Sequence, residues 1–241
     1  WKGLVGSEMC IRDRYGMIFI EGGFFEMGAD NDEARPDEYP KHKIEISSFW
    51  MDETEVTNAQ FKEFIDATGY ITTAERSINW DEIKSMLPPG TPKPNDSLLS
   101  PSSLVFKESN TSNLNDYSKW WSLVRDANWK QPFGPGSNIE GKDDYPVVHI
   151  SWEDANEYCK WAGKRLPTEA EYEYASRGGL INEIYSWGNQ KVNDGNLKAN
   201  IWEGIFPKSN TLNDKFYYAS PVKSFSPNNY GLYDMAGNVW E

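Results

Sequence analysis

Apolar positions recur with a helical period twice in succession between Ser151 and Gly179. Ala155, Tyr158, Cys159 and Ala162 fall at i, i+3, i+4 and i+7 and so share one helix face. Ser151 precedes them as an N-cap, Asp154 can return the hydrogen bond, and Gly163 ends the run. After the connector Lys164-Arg165-Leu166-Pro167, Thr168 and Glu171 form a second capping box. Its acidic first turn suits the positive end of the helix dipole, and Arg177 with Gly178-Gly179 closes it. The same grammar predicts a third helix. Thr57 caps it with Gln60, and Phe61, Phe64, Ile65 and Thr68 form its buried stripe before Gly69.

Strand patterns flank these helices. Met17 to Gly28 predicts two short strands joined by a tight hairpin turn at Gly22-Gly23. An acidic loop from Asp30 to Asp37 follows, and alternation from Lys41 to Trp50 predicts another strand with Ile44 and Ile46 on one face. From Trp80 to Asn138 little regular structure is expected, because Pro88-Pro89-Gly90, the Ser-rich 97–103 and the Asn-rich 110–116 mark loop. A loop of that length inside a compact domain is functional or anchored. The rings of Trp120, Trp121 and Trp129 are its candidate anchors. Residues 1–14 carry neither period and no continuous apolar signal segment. They read as an extraneous leader ahead of a domain beginning at Tyr15 or Met17.

Composition narrows the possible functions. At 241 residues the chain suits one large domain or two small ones, of which one is favoured, and 15% aromatic residues against 38% hydrophobic overall suit a loop-rich fold packed around large rings. A net charge of −13 without a basic stripe argues against a nucleic-acid partner. No apolar run reaches the roughly 18–20 residues of a membrane span. Two cysteines, Cys10 and Cys159, make no disulfide framework, and the sequons at Asn95 and Asn110 leave the compartment open.

Few residues offer chemistry on their own. His42 and His149 lack ligand-spaced companions, and His149 reads as a satisfied core histidine in an apolar strand. Cys159, on an apolar helix face, reads as structural. Glu55, at a strand end ahead of the Thr57 cap, reads as a solvated charge or salt-bridge partner rather than an ion ligand. No GxSxG elbow, phosphate-cradling glycine loop or HExxH motif is present.

Three runs go beyond what helix and strand physics requires: His149-Ile150-Ser151-Trp152, Trp161 to Glu171 (WAGKRLPTEAE), and the closing Gly231 to Glu241 (GLYDMAGNVWE). Together with Met51 to Asn58 and Ala67-Thr68-Gly69-Tyr70, they resemble the formylglycine-generating enzyme family, also called sulfatase-modifying factors. The resemblance covers about residues 17–241. It implies an α+β fold, the family's variant of the C-type lectin fold, low in regular secondary structure and long in loops. It implies one domain over 15–241, incomplete at its C-terminus.

Two structural Ca²⁺ sites are implied. One would use Asn200, Asp214 and the carbonyls of Ile201 and Phe216. The other would use Asp234, Glu241 and the carbonyls of Gly237 and Val239. Hard oxygen donors suit that ion. The implied activity is copper-dependent oxidation by O₂ of the cysteine in a CxPxR motif of an unfolded sulfatase. The Cu(I)-holding cysteine pair is expected beyond Glu241, in the full-length protein, since paired thiolates select Cu(I). Ala74, Trp120 and Trp240 match positions of the peptide groove. The resemblance also implies a disulfide for Cys159 with a partner beyond Glu241, while Ser176 stands where a second disulfide would place a cysteine. Ala67-Thr68-Gly69-Tyr70, the excursion with Trp120-Trp121, Ala127-Asn128-Trp129 and Gly134-Pro135, and Asn200 to Pro207 favour the enzyme branch. The alternative is a noncatalytic, calcium-stabilised binding or structural relative, such as a gliding-motility lipoprotein. Two histidines give no support to a His-rich iron site of the sulfoxide synthase type.

Overall fold

The computed structural model describes residues 16–191, 194–195 and 197–241, so the leader over 1–14, the Tyr15 start and Cys10 lie outside the described residues. In chain order the elements are β1 (Met17–Ile20), β2 (Gly23–Met27), β3 (His42–Ile46), β4 (Phe49–Asp52), α1 (Asn58–Thr68), α2 (Trp80–Lys84), β5 (Ser102–Phe106), β6 (Trp121–Arg125), α3 (Trp152–Trp161), α4 (Glu169–Arg177), β7 (Gly204–Ile205) and β8 (Ser209–Asn210). The result is a mixed α and β chain low in regular structure. Among the described residues its strands pair only two at a time. No helix among the described residues is long and apolar enough to cross a membrane.

The chain gathers into two compact units, each assembled from segments distant in sequence. The first comprises the described residues up to Glu55, then Arg165–Ile201 and Tyr218–Glu241. Its frame is a long antiparallel ribbon. β1 pairs with β4 and β2 with β3, and the register runs through without slip, Ile20 opposite Phe49 and Gly23 opposite Ile46. The hairpin expected at Gly22-Gly23 is therefore not there. The ribbon bends at that point, and its true turn is the acidic loop after Met27. A side chain on Gly22 would place its Cβ 2.4 Å from the Ile46 carbonyl oxygen and 2.5 Å from the Ser48 nitrogen. The glycine is needed for close approach of two backbones rather than for a turn.

Ile20, Ala175 and Leu232 form the buried centre of this unit, with Ile18, Phe49, Met51 and Tyr230 packed around them. Helix α4 lies on the ribbon. Its Tyr174 ring meets Phe25 at 5.2 Å, and its Glu173 accepts a hydrogen bond from the Gly28 N–H at 3.0 Å. Arg177 pairs with Glu173 at 2.6 Å and donates to the Gly28 carbonyl at 3.0 Å.

The second unit comprises Val56–Lys164 and Trp202–Tyr217. Helices α1 and α3 bring Phe61, Phe64, Tyr158 and Trp161 into one ring cluster, and Trp129 meets Phe61 edge-on at 5.4 Å. Burying Phe61 and Phe64, which are 1% and 2% exposed, stabilises by about 1.5–3 kcal/mol each. Regular structure is richer here than the loop signals between Trp80 and Asn138 suggest. Asn79 caps α2, and β5 and β6 pair antiparallel from Ser102–Arg125 to Phe106–Trp121. Their short apolar runs, Leu104-Val105-Phe106 and Leu123-Val124 beside Trp121, were masked by the Asn-rich segment between them. The anchoring role of the rings is present: Trp120 and Trp129 are 4% and 2% exposed.

Candidate functional site

All three capping boxes form. The Thr57, Ser151 and Thr168 hydroxyls accept from the third helical N–H, and Gln60, Asp154 and Glu171 return the bond. Asp154 does more than cap. Fully buried, it accepts from the Ser151 N–H at 2.9 Å, the Thr73 N–H at 2.9 Å and the Tyr70 hydroxyl at 2.9 Å, with Arg76 3.5 Å away. These bonds hold the 3-10 turn Thr73–Glu75, which carries Ala74, against the start of α3. Ala74 itself is buried.

His149 departs from the strand expected for it. Its φ of 60° puts it in the left-handed region. Its ring is satisfied, as expected. The Pro132 carbonyl can only accept, so Nε2 carries the proton and donates at 2.8 Å, leaving Nδ1 to accept from the Ser103 hydroxyl at 2.8 Å. Burial holds its pKa below the usual histidine value. Cys159 is buried on α3, in keeping with a structural role.

The implied cation ligands fall in several places. In the first unit, Asn200 is buried and its Nδ2 donates to the Tyr218 carbonyl at 2.8 Å and to Asn238 Oδ1 at 3.0 Å. Both amide protons are thus engaged, so Asn200 meets any ligand through Oδ1. Ile201 follows it at the end of its segment. In the second unit, Asp214 is buried, its N–H donates to Glu203 Oε2 at 3.0 Å, and its Oδ1 accepts from the Phe216 N–H at 2.9 Å. Glu203, 4% exposed, was not anticipated as the anchor of that loop.

Asp234, Gly237, Val239 and Glu241 all belong to the first unit, and Glu55 joins them there. Asn238, at φ 58°, is the hub. Its Nδ2 donates to Glu55 Oε1 at 2.9 Å, its Oδ1 accepts from the Ser220 N–H at 2.8 Å, and its N–H donates to the Asn200 carbonyl at 2.8 Å. Gly237 is required beside it, because a Cβ there would lie 2.4 Å from the Asn200 carbonyl oxygen and its φ is 80°. Asp234 accepts from the Lys223 N–H at 2.8 Å, and Tyr172 donates its phenol proton to Glu241.

Glu55 is not the solvated charge its sequence context suggests. It is 9% exposed, and its Oε2 is buried without a hydrogen-bond partner. Burial, then the charges of Asp234 and Glu241, push its pKa up to about 8. Burial also raises Asp234 and Glu241. Although Glu241 as a residue is exposed, its carboxyl is drawn in against Tyr172. Negative charge crowded out of water with an unsatisfied oxygen is the chemistry a hard cation relieves, and carboxylates with main-chain carbonyls are the donors Ca²⁺ takes. In kind, these residues fit such an ion. Among the described residues, no three or more His, Cys, Asp or Glu side chains are drawn together closely enough to hold a metal by themselves.

Of the groove positions, Trp120 is walled in by Tyr117 at 5.6 Å and Phe206 at 5.4 Å in the second unit. Trp240, in the first unit, is 96% exposed.

The sulfatase-modifying factor enzyme 1-like domain matches residues 7–241. A mouse protein named formylglycine-generating enzyme is 43% identical over 229 residues, covering 93% of this chain and 56% of its own length. The chain thus spans little more than half of that relative. A cattle protein named inactive C-alpha-formylglycine-generating enzyme 2 is 40% identical over 233 residues, covering 93% of this chain and 69% of its own. Among solved structures, PvdO from Pseudomonas aeruginosa superposes with a TM-score of 0.51 at 22% identity, covering 91% of this chain and 66% of that one, a likeness of fold alone. By the match across nearly its whole length, this chain belongs to the sulfatase-modifying factor enzyme 1-like domain family.

Proposed function

We propose that the chain is part of a formylglycine-generating oxidase, which converts the cysteine of a CxPxR motif in an unfolded sulfatase to formylglycine using O₂ and copper. The observation that carries this reading is the family match from residue 7 to residue 241, with relatives named for that activity above 40% identity. In this reading residues 15–241 form one domain, the family's variant of the C-type lectin fold. Ala74, Trp120 and Trp240 contribute to the wall of the peptide groove.

Ca²⁺ is structural in this reading. Asn200, Asp214 and the carbonyls of Ile201 and Phe216 serve one ion; Asp234, Glu241 and the carbonyls of Gly237 and Val239 serve the other, with Glu55 adding charge. The ion supplies positive charge that lets these buried carboxylates stay ionised. Copper is a different matter. Cys159 is the one cysteine among the described residues, so they offer no thiolate pair and do not fit Cu(I). In this reading copper is bound by the whole protein.

A noncatalytic binding or structural protein on the same scaffold is the second reading, favoured by similarity to a relative whose name marks it inactive. The test uses the protein produced from its complete coding sequence. Incubated with Cu(I), O₂, a thiol reductant to supply the two electrons that complete O₂ reduction to water, and a CxPxR peptide, it is expected to yield the aldehyde-bearing peptide, with sulfide released, by mass spectrometry. An unchanged peptide alongside intact Ca²⁺ binding would sink the oxidase and leave the scaffold reading.

A further inference from the structure

Within the first unit, one face of α4 backs the segment that carries Gly237, Val239 and Glu241. Tyr172 and Ser176, one turn apart, both point at this segment: the Ser176 hydroxyl donates to the Met235 carbonyl at 3.3 Å, and the Tyr172 hydroxyl lies 3.4 Å from the same oxygen. The phenol proton has a better acceptor in Glu241 Oε2. Glu241 needs such a hold. Asp234 is a half-buried carboxylate of like charge in the same cluster, and it repels Glu241.

The cluster is more than a gathering of acids. Glu55, more than nine-tenths buried, has one carboxylate oxygen without a partner. We propose that Tyr172 is a positioning residue of this cation site: its hydroxyl fixes one oxygen of Glu241 and so presents the Glu241 carboxylate to the ion in a set orientation. The inference rests on the calcium reading above. A neutral O–H donor suits the role, because it orients a carboxylate without the competing charge that a lysine or arginine would bring to a cation site. A Phe would fill the same space and orient nothing.

The test is calorimetric Ca²⁺ titration of the full chain carrying Asp214→Asn, so that the second site is read alone. Tyr172→Phe is expected to weaken this site about tenfold, the range of a hydrogen bond to a charged group. Ultraviolet difference spectra add a readout that packing alone would not move. Ca²⁺ should perturb tyrosine absorbance in the parent, and both Tyr172→Phe and Glu241→Gln should remove that signal. Unchanged affinity in Tyr172→Phe, or a tyrosine signal that survives either change, would overturn the assignment. Asp234→Asn distinguishes the two levels. If it leaves the titration unaltered, the calcium reading itself fails; if it abolishes binding while Tyr172→Phe does not weaken it, only the role of Tyr172 is lost.

Discussion

Asp154 concentrates more of the second unit's order than any cap requires. It accepts from backbone and hydroxyl donors of Ser151, Thr73 and Tyr70, so removing it leaves several buried donors unsatisfied at once. Asp154→Ala is therefore expected to cost about 3–5 kcal/mol, read as a fall in the urea midpoint with an unchanged slope. Asp154→Asn retains part of the acceptor set and should cost less. If Asp154→Asn is as stable as the parent while Asp154→Ala is still costly, the bare volume matters more than the charged acceptor network.

The ribbon and the helix laid on it each carry one separable expectation. Gly22→Ala forces a Cβ to 2.4 Å from a carbonyl oxygen, whereas Gly23→Ala meets only the Tyr174 hydroxyl at 3.1 Å, a side-chain tip that can give way. The first substitution should cost about 3 kcal/mol or more and the second well under half of that, compared by thermal midpoint.

On α4, Glu171 accepts from Arg165 at 2.6 Å and from the Thr168 N–H at 2.8 Å, and the Arg165 hydrogen bonds are the main cause of a pKa lowered to about 2. A folded-state pKa below the unfolded one means stability is present above the unfolded value of 4.5 and is lost as pH falls from there toward 2. Arg165 is largely exposed, so screening trims the effect to about 1–2 kcal/mol. Arg165→Met should flatten the loss between about pH 5 and about pH 2.5. If urea midpoints of parent and variant fall in parallel over that window, the pair is not the cause.

For the whole chain, a net charge of −13 and buried carboxylates mean that, in the calcium reading, cation binding and folding form one equilibrium. Ca²⁺ at about a hundredfold over its dissociation constant should stabilise by about 2.7 kcal/mol per site, a rise of roughly 5–10 °C in thermal midpoint. A chelator should reverse it. Mg²⁺ at the same concentration should do less, since it prefers a smaller, near-octahedral shell. A midpoint indifferent to both ions would remove the calcium sites from the account of this fold.

The helices were legible because their information is local. A cap, a returning Gln, Asp or Glu and a terminal glycine lie within a dozen residues, and Thr57, Ser151 and Thr168 each behave as their neighbours dictate. The family motifs were equally visible, being runs of side chains. Strand pairing was not. Whether Gly22-Gly23 turns a hairpin or bends a ribbon depends on a partner strand more than twenty residues away, and β5 found β6 across an Asn-rich segment that hides both. The site divides the same way. Asp234 and Glu241 stood out in a motif, but Glu55 gained its weight only when the fold carried it out of water to Asn238, and Tyr172 only when α4 was laid beside Glu241. Local sequence sets capping and periodicity through short-range hydrogen bonds and side-chain period. Desolvation and the meeting of distant charges exist only once the chain has closed on itself.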